Sequence, residues 1–333
     1  MALAAWTIIG IFVDAFKHST DPGLETFWTP WHALFYSGFL ANSAWLVHLS
    51  LRRRTATGTI FDWAPRAHRL ALIGVVLFAT GGVGDAIWHS VFGVETSLDA
   101  LLSPTHIVLW LGGLAIVSTP LRAAWSDRGH DDAASLAMFA PILASLTLTL
   151  SIVAFFLTYA WQLVDRSLPL QRYFPGGGGE FEAAYGVVSI IVTTAVMMTA
   201  LLLPARRWRL PFGSVTILFG AVTLLMALGF DKDLIALPAA IAAGLKADIL
   251  SASGQPRRVI AAATPAVLWL VYFFLVGQAA PGLAWPPEIW IGATIFAVLV
   301  GVGIDAAFDV AGDLAETSGG VPPPGGTDPQ LTS

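Results

Sequence analysis

The sequence contains no cysteine, so neither a disulfide nor a thiolate metal ligand is available to it. Charge is scarce too. Asp, Glu, Lys and Arg make up 12% of the 333 residues, about half the roughly 25% of soluble domains. These shortages exclude a soluble globular enzyme, a disordered chain and a nucleic-acid binder. What fills their place is apolar: 56% of residues are hydrophobic and the mean hydropathy is +0.73. The net charge of −5 says little, because in a membrane protein the placement of charge matters more than its sum.

A bilayer core needs about 20 apolar residues per helix. Ten apolar segments are present, roughly 2–18, 29–51, 68–89, 102–124, 135–160, 181–204, 210–230, 234–250, 259–279 and 285–310. The first lacks a basic leader and contains Asp14, so it reads as a span and not as a secretory signal. Of 17 basic residues, only Lys17, Arg166, Arg172 and Lys232 fall in the odd-numbered connections; the other 13 cluster in every second one. Cytoplasmic loops carry the excess of Lys and Arg, which predicts N-in, C-in. The expected fold class is therefore all-α: a polytopic integral membrane protein of about ten transmembrane helices in the cell (inner) membrane. The expected organisation is a four-helix unit over 1–125, a six-helix membrane scaffold over 126–313, and a disordered cytoplasmic tail over 314–333, which is rich in Pro and Gly. The Gly176–Gly179 run reads as a flexible outer loop, since no phosphate-binding pattern follows it.

Histidine occurs seven times, and four of the seven lie in a pattern that appears twice. The first copy is Asp14-x3-His18 followed by Thr29-Pro30-Trp31-His32. The second is Asp85-x3-His89 followed by Ser103-Pro104-Thr105-His106. The offset is 71 residues at the Asp and 74 at the second His, so the spare three lie in the connecting loop. Asp and His four apart share a helix face. Ser or Thr at the N-cap, Pro at N1 and His at N3 make a well-formed helix start. Each hairpin should then gather one Asp and two His at the non-cytoplasmic face, a ligand set suited to Cu, Zn, Fe or Mn. An aspartate in an apolar span costs at least ~2.5 kcal/mol unless paired, which also admits a structural Asp–His pair without metal. The two half-sites make one dinuclear centre if the hairpins face each other, and two mononuclear sites if they do not. Glu25 and Glu95, in the loops between the ligands, are the candidate acid–base residues.

The string Gly84-Asp-Ala-Ile-Trp-His89…Ser103-Pro-Thr-His106-Ile-Val resembles the C subunit of the copper membrane monooxygenases, the family of particulate methane and ammonia monooxygenases. Trp88, Pro104 and Ile107 match along with the ligands. The resemblance covers this motif closely and spans 3 and 4 loosely, and here the motif is present twice. It implies copper bound within the membrane near its outer side by Asp85, His89 and His106, and, through the internal repeat, by Asp14, His18 and His32. It also implies an apolar small-molecule substrate and other membrane or periplasmic subunits as partners beside the lipid bilayer.

The second half of the chain reads as scaffold. Tyr159 and Gln162 are expected to share a face of span 5 beside Asp165, lining a cavity or supporting ligands. Asp231, Lys232 and Asp233 are expected to form a solvated turn capping span 8. Asp248, Asp305 and Asp309 are expected near the cytoplasmic edge, facing water or pairing with arginines. The leading functional expectation is a metal-dependent membrane oxidoreductase, or the metal-bearing subunit of one, with copper as the metal and iron or zinc as the alternatives. A membrane zinc hydrolase, a metal transport or handling protein and a purely structural membrane protein are the competing readings.

Overall fold

The computed structural model describes residues 1–21, 28–55, 57–93, 98–126, 135–164, 166–173 and 178–318. Among them every regular element is a helix: α1 (Ala2–Thr20), α2 (Pro30–Leu51), α3 (Ile60–Trp63), α4 (Arg66–Phe92), α5 (Leu98–Leu102), α6 (Pro104–Val117), α7 (Thr119–Ser126), α8 (Leu136–Phe156), α9 (Ser167–Leu170), α10 (Glu180–Arg207), α11 (Ser214–Gly229), α12 (Leu237–Ala252), α13 (Arg257–Gln278) and α14 (Pro287–Ser318). Each of the ten apolar segments is helical. Five helices (α4, α8, α10, α13 and α14) are long and apolar enough to cross a membrane by themselves. The pair α6 and α7 makes a sixth if counted as one bent span.

The outer surface agrees with a lipid environment. On α4, Ile73, Val76, Val83, Ile87 and Val91 are exposed at helical spacing, while Ala71, Gly74, Phe78, Gly81 and Asp85 are buried on the opposite face. Such stripes on a soluble monomer would be a large exposed apolar patch; on this chain they mark a membrane-embedded protein.

Two of the expected spans depart from the sequence expectation. Segment 102–124 is broken, with α6 and α7 bent by 43°. Pro120 follows the break: it has no N–H for the carbonyl of Ile116, and its ring crowds that carbonyl. Ser118 answers by returning its hydroxyl to Leu114 O at 2.6 Å. The helix of segment 135–160 ends at Phe156, and residues 161–164 are buried without helical backbone. Buried irregular backbone needs hydrogen-bond partners. Here Gln162 N–H donates to Thr193 Oγ1 at 3.0 Å, and Gln162 Nε2 donates to the Tyr272 hydroxyl at 3.1 Å. At the other end of the chain, α14 runs on through residues 314–318, because helix-compatible residues continue until Gly319-Gly320. The rest of the expected tail lies outside the described residues, as do Gly176 and Gly177.

Glycines let the first helices meet backbone to backbone. A Cβ on Gly10 of α1 would lie 2.7 Å from Phe35 Cα of α2, and one on Gly38 of α2 would lie 2.8 Å from Thr7 N. In the second hairpin a Cβ on Gly112 of α6 would lie 2.6 Å from Phe78 N of α4, and one on Gly74 would lie 2.8 Å from Gly112 O. Small residues at helix crossings are the usual route to close packing in membranes. This closeness lets the ends of α1 and α2, and of α4 and α6, bring short side chains together.

Asp248 departs from its expected place. It is 1% exposed and accepts hydrogen bonds from Val215 N–H (3.1 Å), Thr216 N–H (3.0 Å) and the Thr216 hydroxyl (2.6 Å). It caps α11 from the neighbouring α12, because Gly213 at that N-cap position has no side chain to do so. Asp248→Ala would strand these donors and is expected to cost about 3 kcal/mol, by loss of the cap and of buried hydrogen bonds. A lowered unfolding temperature in detergent, with Asp248→Asn intermediate, is the measurement that checks it. Asp309 does pair with Arg206 (2.5 Å) and Arg257 (2.9 Å), and Asp305 with Arg257 (3.5 Å), as expected of that edge.

Candidate metal centre

The first Asp–His set forms where α1 ends and α2 begins. Asp14 and His18 sit one turn apart on α1, and His32 is at N3 of α2. As the sequence predicts, Thr29 is the N-cap and its hydroxyl accepts His32 N–H at 3.1 Å. The same hydroxyl also meets the ring, with His32 Nδ1 at 2.8 Å. His32 Nδ1 lies 3.3 Å from Asp14 Oδ1, a buried oxygen with no hydrogen-bond partner among the described residues. The His18 and His32 rings are 5.5 Å apart.

The second set repeats this arrangement with tighter support. Asp85 and His89 lie on α4, and His106 is at N3 of α6 under its N-cap Ser103. Ser103 Oγ accepts His106 N–H at 3.4 Å and touches His106 Nδ1 at 2.6 Å. His106 Nε2 is 3.4 Å from Asp85 Oδ1, and His89 Nε2 is 3.5 Å from Asp85 Oδ2. The Thr105 hydroxyl donates to Asp85 Oδ1 at 3.0 Å. His89 Nδ1 is 3.1 Å from Gly93 O. A carbonyl can only accept, so Nδ1 carries the proton and points Nε2 toward the carboxylate. A ring held this way by a backbone carbonyl is the arrangement that orients metal-ligating histidines.

In each set the three ligand atoms lie within 4.8 Å of one another. All six residues line one cavity of about 390 Å³. Its remaining wall is mostly apolar, with aromatic and aliphatic side chains in nearly equal number. Trp110 of α6 stacks on Phe156 at 4.8 Å, and Phe155 meets Phe230, just past α11, at 5.2 Å. On the side away from the ligands, Phe78 stacks on Phe39 at 4.5 Å. Phe78 also borders a separate void of about 10 Å³ beside Thr7 and Asn42. Phe78 thus lines both the chamber and the void.

Other residues singled out in the sequence fall elsewhere. Glu25, Glu95 and Asp165 lie outside the described residues. Tyr159 lines the chamber, and its carbonyl accepts the Tyr185 hydroxyl. Gln162 does not share its face: the helix has ended, and Gln162 is held against Tyr272 instead. Asp233 caps Ile235 N–H at 3.1 Å and pairs with Arg166 Nε at 2.6 Å, away from the chamber and in keeping with a capped turn.

The sequence reading passed over Tyr36. It stacks over His32 at 6.4 Å, and its hydroxyl would lie 2.9 Å from a Cβ on Gly82, one turn before Asp85. It therefore joins the two hairpins. The signal was an aromatic four residues after His32, set against the Gly81-Gly82 pair that leaves room for it. Thr105, between Pro104 and His106, was likewise treated as filler. Comparison with family models, with curated proteins and with solved structures finds no match to this chain.

Proposed function

We propose that the chain is a metal-dependent membrane oxidoreductase, or the metal-bearing subunit of one, with copper as its metal. In this reading it has ten spans, with both termini cytoplasmic and the chamber toward the outer face of the cell membrane. One observation carries it: two Asp–His–His sets open on a single cavity whose other walls are mostly apolar. The donor set fits a cation. Asp85 is buried in an apolar helix facing two imidazoles, and Asp14 presents an oxygen that makes no hydrogen bond among the described residues. Neutral imidazole and carboxylate are suited to copper, iron and zinc alike. The resemblance of the second set to the copper membrane monooxygenases favours copper among them.

Bound there, the metal would supply redox chemistry with dioxygen or substrate at an open position. The chain's own residues do the rest. Asp85, His89 and His106, and Asp14, His18 and His32, hold the metal. Gly93, Thr105, Ser103 and Thr29 orient the ligands. The aromatic and aliphatic wall excludes water and receives an apolar small molecule. The mostly apolar wall suits a hydrolase poorly.

The test is metal content by elemental analysis with electron paramagnetic resonance on gently solubilised protein, alongside His89→Ala and His18→Ala. Near-stoichiometric copper that falls in the variants is the expected result. Zinc with a silent spectrum would move the assignment to a membrane zinc hydrolase. A metal-free protein after supplementation with copper, iron and zinc would sink it, leaving Asp-x3-His as helix-end architecture.

A further inference from the structure

The two ligand sets use the same residue types but are not built alike. In the α4–α6 set the work is divided between ring atoms. Ser103 and Gly93 hold His106 and His89 by Nδ1, while Nε2 of each ring faces Asp85. Asp85 is 1% exposed and fixed by the Thr105 hydroxyl. In the α1–α2 set the division fails. His32 faces Asp14 with Nδ1, the atom already 2.8 Å from the Thr29 hydroxyl. A cation at that atom must displace Thr29, or the ring must turn. Asp14 has no counterpart of Thr105: where the second motif has Thr105, the first has Trp31. Among the described residues the His18 ring has no hydrogen bond that corresponds to His89 with Gly93.

We infer that the chamber loads in order: the Asp85–His89–His106 set takes the first metal ion tightly, and the Asp14–His18–His32 set takes a second, weaker and exchangeable one. The inference rests on the metal-binding reading above and deepens it. Partners behind the ligands are each worth about 10–100-fold in metal affinity, and the second set has more of them. A pre-oriented ligand set also has less side-chain freedom to lose on binding. The charge of the first ion acts in the same sense, because a second cation entering one apolar-walled chamber meets repulsion that water screens poorly. One site is thus a resident position, and the other a place where metal enters, leaves or is held only while the chamber is working.

The experiment is a Cu²⁺ titration of the metal-free, full-length protein in lipid nanodiscs, against a competing chelator and followed by electron paramagnetic resonance. Two steps are expected, totalling two ions per chain, with the first at least about tenfold tighter. Thr105→Val, which leaves all six ligands in place, is expected to weaken the first step about tenfold and spare the second, and Thr105→Ser to restore it. Asp14→Asn and His18→Ala are expected to remove the second step and keep the first. One step of a single equivalent, two steps of equal affinity, or loss of the tight step in Asp14→Asn would each overturn the order proposed. Wild-type protein that takes up no Cu²⁺ and carries no other metal overturns the metal-binding reading itself, an outcome distinct from all of these.

Discussion

Asp85→Asn is expected to leave the metal-free protein as stable as wild type, or more so, while removing most of its stabilisation by metal. The asparagine keeps the shape of the side chain, and its carbonyl oxygen can still accept the Thr105 hydroxyl that Asp85 Oδ1 accepts at 3.0 Å. What it removes is a negative charge on a side chain that is 1% exposed. Burying a charge is expensive, and replacing it by a neutral group of similar volume is often neutral or stabilising. A ligand that binds only the folded state stabilises it by about 2.7 kcal/mol at a hundredfold excess over its dissociation constant. Wild-type protein at that excess of Cu²⁺ should gain about this much, and Asp85→Asn should lose most of the gain. Thermal unfolding with and without Cu²⁺ reads both numbers. If Asp85 were only a structural partner of His89 and His106, the variant would instead unfold at lower temperature without metal and respond to Cu²⁺ as wild type does.

What the sequence discloses and what it hides follow from the range of the interactions. Thr29-Pro30-x-His32 and Ser103-Pro104-x-His106 are local patterns. The cap, the proline and the histidine lie within one turn, so the hydrogen bonds His32 N–H to Thr29 and His106 N–H to Ser103 could be written from sequence. Asp14 with His18, and Asp85 with His89, are local in the same way. The ten helical segments were legible because apolar runs announce them. The meeting of both sets in one cavity was not, since it depends on how two hairpins cross. Tyr36 against Gly82, and Phe230 and Trp110 in the chamber wall, are contacts between residues far apart in the chain. The break at Ser118 had a legible cause in Thr119-Pro120, but hydropathy alone runs across it. The end of α8 at Phe156 had none: residues 157–164 are as apolar as a helix, and only the bonds to Thr193 and Tyr272 make another path affordable. Asp248 was misplaced for a similar reason. A carboxylate near a basic edge reads as surface, whereas its partners are backbone N–H groups of another helix.

The second large effect is expected far from any ligand, at Gly112. The α4–α6 set exists because its helices touch. A Cβ at Gly112 would stand 2.6 Å from Phe78 N and 2.8 Å from Gly74 O, both backbone atoms that no rotamer change can move aside. Gly112→Val must therefore push α6 from α4. Overpacking of this kind costs about 1–3 kcal/mol in stability. The effect on the site is larger, because His106 rides on α6 while Asp85 and His89 ride on α4, and a binding constellation tolerates only about 0.5 Å of drift. The tight Cu²⁺ step should weaken by about 100-fold or more, the scale of losing a ligand's support twice over. The weaker step should persist, since α1 and α2 meet through Gly10 and Gly38, which the substitution does not touch. Gly292→Ala, on α14 with open space around it, is the control and should leave both steps in place. Wild-type tight binding in Gly112→Val would mean that the loops, and not the helix crossing, set the distance between Asp85 and His106. The same comparison separates the two sets independently of any ligand substitution: a change in one hairpin's crossing that spared neither step would show that the hairpins hold one common centre.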